Sequence, residues 1–446
     1  MKALINRTKA ALSRVHPLPQ NDLTLRFPII QNREKRLREL LSALAEDPAH
    51  NDLLPFARFR QLHFARFLIL EGEKHPEEYG STLIFLANVD GPLAAFLEQL
   101  TSDHSQALDR ILSTCEGYPT RTWRSHATRI GYLFRHQLAS QAYYVNTLGR
   151  SAEQIRQEEQ LYQALQQFLN NLDPDLPFSA STIRDAAIAY VADHPDLAWA
   201  LTPRPRPGLL WRTWETTRFR LLVALGILAV IWGWPLLLAW LLALRFRELR
   251  DTEFTHKAPL SRLDQLRSEE DMAAHNPFAA AGYLKPGLLR RITARGLLAP
   301  AQVALRHVFN RGDLAGVPLL GLDGVDTIHF ARWTMLDGDR RLLFTSNYDG
   351  SLESYMVDFI DKVAWGLNLI FSNGAGYPRT RWLVMEGARK EQRFKDYLAL
   401  HQLENLMWYT PYPQLTAVGI ANNEAIRNGL SGTMDDAQAQ AWLNRL

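Results

Sequence analysis

The sequence predicts an α+β protein made of two diverged copies of one unit, with an apolar membrane segment inserted between them. Three observations carry this expectation. A set of short motifs occurs twice in the same order, a 24-residue stretch between the copies carries no charge, and each copy mixes strand and helix hydrophobic periods. At 446 residues the chain is long enough for two or three domains, and its 47% hydrophobic content can fill their cores.

The duplication is read from four ordered matches. Leu62-His63-Phe64-Ala65-Arg66-Phe67 returns as Ile328-His329-Phe330-Ala331-Arg332-Trp333, and Glu71-Gly72 returns as Asp337-Gly338. Asn88-Val89-Asp90-Gly91 returns as Asn347-Tyr348-Asp349-Gly350, and Gly117-Tyr118-Pro119 as Gly376-Tyr377-Pro378. The gap from aspartate to glycine is the same in both copies (117 − 90 = 376 − 349 = 27). Two β-rich runs joined by a turn predict a hairpin in each copy, and the apolar spacing after each Asp-Gly predicts a helix that Gly-Tyr-Pro stops. A strand of the type RTRWLVMEG is expected next. Copy one is preceded by a strand, LTLRFPII, and a helix, REKRLRELLSALAED, which completes the β-α-β-β-α-β order of a ferredoxin-like unit. In copy two the candidate first strand is QVALRHVFN, and the glycine-rich Gly312–Gly324 stretch predicts that the following helix is shortened or lost. The expected organisation is an extension (1–20), a first repeat (21–170), a helical linker with a membrane segment at 219–246 (171–300), and a second repeat (301–446). A ferredoxin-like sheet leaves one face uncovered, so two tandem copies are expected to close sheet on sheet as an intrachain pseudo-dimer.

Leu221–Leu244 is the uncharged stretch, long enough at ~1.5 Å per residue to span a bilayer core of ~30 Å. Arg218 and Arg220 precede it, Arg245, Arg247 and Arg250 follow it, and tryptophans punctuate it. Trp232-Gly233-Trp234-Pro235 at its centre reads as a break, because proline removes a helix hydrogen bond. A repeat that must meet itself also needs both copies on one side. The expectation is therefore a membrane hairpin turning at Gly233–Pro235, with both repeats cytoplasmic. Trp232 and Trp234, or self-association as a homo-oligomer, would shield the turn. Membrane lipid is the expected partner.

The net charge of +3 gives no case for nucleic-acid binding. Cys115 is the single cysteine, which excludes an internal disulfide and a cysteine-based zinc site, and no H-E-x-x-H helix, G-x-x-x-x-G-K loop or G-x-S-x-G elbow occurs. No metal site is read from the sequence. The candidate chemistry lies in the duplicated polar residues, with copy two favoured: Asp349, Arg332 and His329 as catalytic groups, and Arg379, Asn347 and Tyr377 as binding groups. Strand periodicity places His63 and Ala65 on one face, and Phe64 and Arg66 on the other. Packing at the pseudo-dimer interface is the alternative role for the His-Phe-Ala-Arg stretches, and capping of the next helix is the alternative for the aspartates.

The tandem pattern with Asp-Gly after a strand resembles the dimeric α+β barrel superfamily, and more distantly the dye-decolourising peroxidases within it. Asp349-Gly350 and Asp90-Gly91 match the end of the peroxidases' G-x-x-D-G motif, while Ser346 and Ala87 stand where its glycine would be. The resemblance implies a haem cofactor and a peroxidase-like oxidoreductase. Joined to the membrane segment, it predicts a membrane-anchored enzyme acting on a small-molecule, lipid-like or amphiphilic substrate. The alternative is a non-enzymatic binding or scaffold protein at the membrane surface.

Overall fold

The computed structural model describes residues 19–72, 80–172, 179–203, 209–268, 270, 273–310 and 326–446. The glycine-rich Gly312–Gly324 stretch, most of the N-terminal extension and most of the first copy's hairpin connection lie outside the described residues.

The first half runs β1 (Gln20–Pro28), α1 (Glu34–Glu46), β2 (Leu62–Leu70), β3 (Thr82–Asp90), α2 (Leu93–Asp103), α3 (Ser105–Leu112), α4 (His126–Arg135), β4 (Gln137–Leu138) and β5 (Ala142–Val145). Helices α5 (Ala152–Asn170) and α6 (Ala180–Asp193) follow, then the long α7 (Leu209–Glu248) and α8 (Leu260–Ser268). The second half runs β6 (His275–Tyr283), α9 (Leu288–His307), β7 (Ile328–Leu336), β8 (Arg341–Asp349), α10 (Leu352–Phe371), β9 (Thr380–Arg381), β10 (Met385–Glu386), α11 (Glu391–His401), β11 (Met407–Tyr409), α12 (Ala417–Gly429) and α13 (Asp436–Leu443).

Two antiparallel sheets organise the body, ordered β11-β2-β3-β1-β4 and β5-β7-β8-β6. Their three central strands share one register: Gln20 faces Asp90 across β1 and β3, as His275 faces Asp349 across β6 and β8. Each sheet is completed by a strand from the other half. β5, from before the apolar segment, pairs with β7, and β11, from near the C-terminus, pairs with β2.

Strands β2, β3, β7 and β8 are buried at all nine positions, which requires cover on both faces. On one face of the first sheet Ala65, Phe67 and Ile69 pack with α1, α2, α3 and α4, and on the second sheet Ala331, Trp333 and Met335 pack with α9, α10 and α11. The other faces meet each other, with Leu68, Leu70, Ile84 and Leu86 against Ala279, Ala281, Leu336 and Leu343. The result is four layers, helices outside and two sheets between. A separate small core joins α5 and α6 to α12 and α13 around Leu161, Leu165, Ile426 and Trp442.

Several sequence expectations change here. QVALRHVFN is not a strand; most of it is the C-terminal part of α9, which also absorbs Pro300. The second sheet's outer strand is β6, and the helix expected to be shortened or lost is α9, so both elements begin inside the segment assigned to the linker. RTRWLVMEG forms only the two-residue β9 and β10, and the strand that enters a main sheet is β11. The alternation proposed for His63 is broken by a register shift between Leu62 and Phe64, repeated between Ile328 and Phe330. The extra residue brings His63 to the sheet–sheet side with Phe64, where its ring meets Phe330 at 5.0 Å.

The membrane hairpin is corrected too. α7 is one continuous helix through Gly233 and Pro235, 40 residues and about 60 Å long. Proline removes one hydrogen bond from the helix ladder, and the flanking turns carry the helix past it. Both ends of α7 rest on the second half of the chain. Phe219 stacks on His307 at 4.9 Å, and Arg306 reaches Glu215 at 3.4 Å. At the other end the buried Glu248 carboxylate accepts from the Thr380 hydroxyl (2.5 Å) and from the backbone N–H groups of Trp382 (2.9 Å) and Leu383 (3.0 Å). From Leu221 to Ala239 the apolar side chains are exposed on every side, Trp232 and Leu236 most of all.

Candidate functional site

The sheet–sheet interface gathers most of the duplicated polar residues. Arg66 projects from β2 into the second sheet, donating to the backbone carbonyls of Phe278 and Ser346, both at 2.8 Å, and to Asn347 Oδ1. Arg332 projects from β7 into the first sheet, donating to the carbonyls of Leu23 (2.7 Å) and Ala87 (2.9 Å). These acceptors correspond: Leu23 faces Ala87, and Phe278 faces Ser346, at matching places in the two registers. Burial pushes the Arg66 guanidinium down to about 9, with the nearby Arg332 charge adding to the effect, and burial lowers Arg332 as well. Both forks are engaged by protein groups. Arg332, a sequence candidate for catalysis, therefore works in the structure as a clasp between sheets.

The histidines and aspartates of the repeat do meet. His63 Nε2 lies 2.9 Å from Asp90 Oδ1, and His329 Nε2 lies 2.7 Å from Asp349 Oδ1. The second oxygen of each carboxylate accepts the first backbone N–H of a distant helix: Asp90 from Ala152 of α5, and Asp349 from Ala417 of α12, each at 2.7 Å. The aspartates thus cap helices more than sixty residues away, rather than the helix that follows each of them. With Nε2–H donating to Asp90, His63 Nδ1 accepts from the Tyr412 hydroxyl at 2.8 Å, and burial holds that phenol well above its ordinary range.

The two halves differ at the strand position that faces each aspartate. Gln20 in β1 bonds to Arg150 O and Gly149 N, whereas its counterpart in β6 is His275. His275 Nδ1 sits 3.1 Å from Leu415 O and Nε2 sits 3.2 Å from Thr410 Oγ1. Its ring lies 4.9 Å from that of His329, and burial together with His329 holds it well below the usual histidine range. Sequence reasoning missed His275 because β6 was assigned to the linker, and missed Tyr412 because it lies in the turn after β11.

A cavity of about 30 Å³ adjoins these groups, lined in part by Gln20, His63, His329, Phe330, Tyr412 and Ala417. That is space for one or two waters, where pockets for organic ligands run to ~300–1,000 Å³. A haem macrocycle does not fit this space, and the arginines that would bind its propionates are already engaged, so the residues present do not fit that cofactor. Asn347 accepts from Arg66 and from Trp408 Nε1, the latter at 3.2 Å. The remaining candidates are elsewhere. Tyr377 is buried on the helix side, its hydroxyl donating to Asn368 at 2.8 Å, and Arg379 donates to Leu249 O at 3.1 Å near the end of α7. Tyr118 makes the corresponding contact with Asp109 at 2.7 Å, which marks both Gly-Tyr-Pro turns as helix stops that pin their own helix. Compared with known proteins, the chain matches no family model, no curated protein and no solved structure.

Proposed function

We propose that this is a membrane-surface binding or scaffold protein, held on the cytoplasmic face of a bilayer by α7 lying within it. Its body is read as an intrachain pseudo-dimer of two ferredoxin-like units with exchanged edge strands. One observation carries the membrane reading: an apolar helix exposed on every side, with both ends fastened to the same half of the protein.

Burying a large apolar side chain gains roughly 1.5–3 kcal/mol over leaving it in water, so a segment of this length has a large free energy to gain from being covered. Something covers it. A protein partner would need one apolar face, whereas lipid suits a helix that is apolar all round. The strand pairing supports both halves on one side, because a single crossing would put the bilayer between β5 and β7 and between β11 and β2, which are hydrogen-bonded pairs. A continuous helix with both ends on one side would then lie along the membrane. The flanking arginines suit the anionic headgroups of the cytoplasmic leaflet. The scaffold reading is preferred to the peroxidase-like enzyme because both arginines are engaged internally and the adjoining cavity has room only for water.

The test places single cysteines at Thr202 and Thr255, both exposed, and labels them with an impermeant reagent in intact cells and in opened vesicles. Both should label only after opening. Labelling from opposite sides would overturn the surface reading, and a Soret band in the purified protein would restore the haem enzyme.

A further inference from the structure

We propose that His275, His329 and Asp349 form a binding site for one divalent transition-metal ion of the Zn²⁺ class. Each of the three offers a ligand atom, these atoms all lie within 4.8 Å of one another, and all three residues are buried. Ligands around a tetrahedral ion, each ~2.0–2.1 Å from it, stand roughly 3.4 Å apart, so small side-chain rotations close the site. Two imidazoles and one carboxylate suit zinc and its neighbours in the first transition row, and suit magnesium poorly.

The surroundings are arranged as metal sites require. His275 Nδ1–H donates to the Leu415 carbonyl, which fixes the tautomer and leaves the Nε2 lone pair available once the Thr410 hydroxyl gives way. Asp349 keeps Oδ2 on the Ala417 N–H, so its plane is held while Oδ1 turns from His329 to the ion. Aromatic rings exclude bulk water: Phe64 lies 5.3 Å and Trp408 5.5 Å from the His275 ring. The adjoining cavity, also lined by His329, has room for a water as fourth ligand. The first half of the chain supplies the internal comparison. There the same strand position holds Gln20, and the His63–Asp90 pair is completed by Tyr412 rather than by a second imidazole. Packing of this register is therefore satisfied without a histidine, which leaves His275 to be explained by something else.

The experiment uses the full-length protein in detergent micelles, stripped with a chelator and titrated separately with Zn²⁺, Co²⁺ and Mg²⁺. About one equivalent of Zn²⁺ should bind tightly, Co²⁺ should give visible d–d bands of a low-symmetry nitrogen–oxygen site, and Mg²⁺ should not bind. His275→Gln places in β6 the residue that β1 already carries at this position. It should weaken Zn²⁺ binding by at least about a hundredfold and erase the Co²⁺ bands, with the metal-free thermal midpoint unchanged. Should that variant fail to fold, Asp349→Asn, which keeps an oxygen toward Ala417, is read in the same way. A wild-type protein that binds neither Zn²⁺ nor Co²⁺, one that binds Mg²⁺ equally well, or a folded variant with wild-type affinity overturns the proposal.

Discussion

Among the described residues Arg66 and Arg332 are buried cations that meet no carboxylate within hydrogen-bonding distance, an arrangement that needs other acceptors for their N–H groups. Backbone carbonyls of the opposite sheet provide those acceptors, and the flat guanidinium fork reaches two strands at once. Lysine cannot reproduce that fork. Arg66→Lys and Arg332→Lys should each destabilise the protein by about 1–3 kcal/mol, and the alanine variants by about 3–5 kcal/mol through lost hydrogen bonds and an empty volume. Because the two clasps correspond, the costs at the two positions should agree within about 1 kcal/mol, as read by denaturant unfolding in detergent. A strong loss at one site with none at the other would mean that only one clasp holds the sheets. His-Phe-Ala-Arg was visible as a duplicated motif at this scale, but its role was not. Whether an arginine binds a ligand or a facing backbone depends on what the second sheet places opposite it, and residue spacing within one strand carries no such information.

Element by element, the most legible parts were those with strong local periods. β2, β3, β7 and β8 lie where their β-rich runs placed them, and α1 and α10 follow the apolar spacing, whereas the single helix expected after Asp90-Gly91 is divided at His104 into α2 and α3. β6 was hidden because its sequence, HNPFAAAGY, has a proline, three alanines and no β-branched residue, so it reads as linker. β5 and β11 are four and three residues long, and their partners are in the other half of the chain, where no local pattern reaches. α7 was legible as apolar and misread as broken. Its mooring offers a pH test. Burial holds His307 below the usual histidine range, with Arg306 and Arg218 adding to the effect and Glu215 opposing it. A depressed histidine gives its full contribution above the free value near 6.5 and loses it as pH falls, because the undocked ring then takes up a proton. Protection of the amides in the first turns of α7, taken relative to the intrinsic exchange rate at each pH, should therefore fall between pH 7.5 and 5.5, and His307→Gln should flatten that dependence. Protection that is insensitive to pH in the wild type would show that the Phe219–His307 stack does not hold the helix end.

At the scale of the whole molecule, the exchanged strands make each sheet depend on both halves of the chain. Met407 and Tyr409 of β11 sit in the first sheet's helical core, and Ala142 and Tyr144 of β5 sit in the second's. α5 and α12 add a further bond, since Arg427 pairs with the buried Glu158 at 3.2 Å and Arg150 pairs with Glu424. On the proposed function the covalent link through α7 is a tether to lipid, while β5, β11, the two arginine clasps and the α5–α12 contact hold the halves together. Two polypeptides, 1–203 and 250–446, should accordingly reassemble when co-expressed without the apolar helix. They should elute as one 1:1 complex of about the size of the intact body. Each expressed alone should aggregate or exchange its amides freely, because an edge strand is missing and a sheet face is bare. The comparison also separates two origins of cooperativity. If the split complex unfolds in one transition, the interface alone couples the halves; if each half folds and stays monomeric by itself, the strand exchange is dispensable. That second outcome would also remove the argument that both halves must lie on one side of the membrane, because independent halves tolerate a bilayer between them.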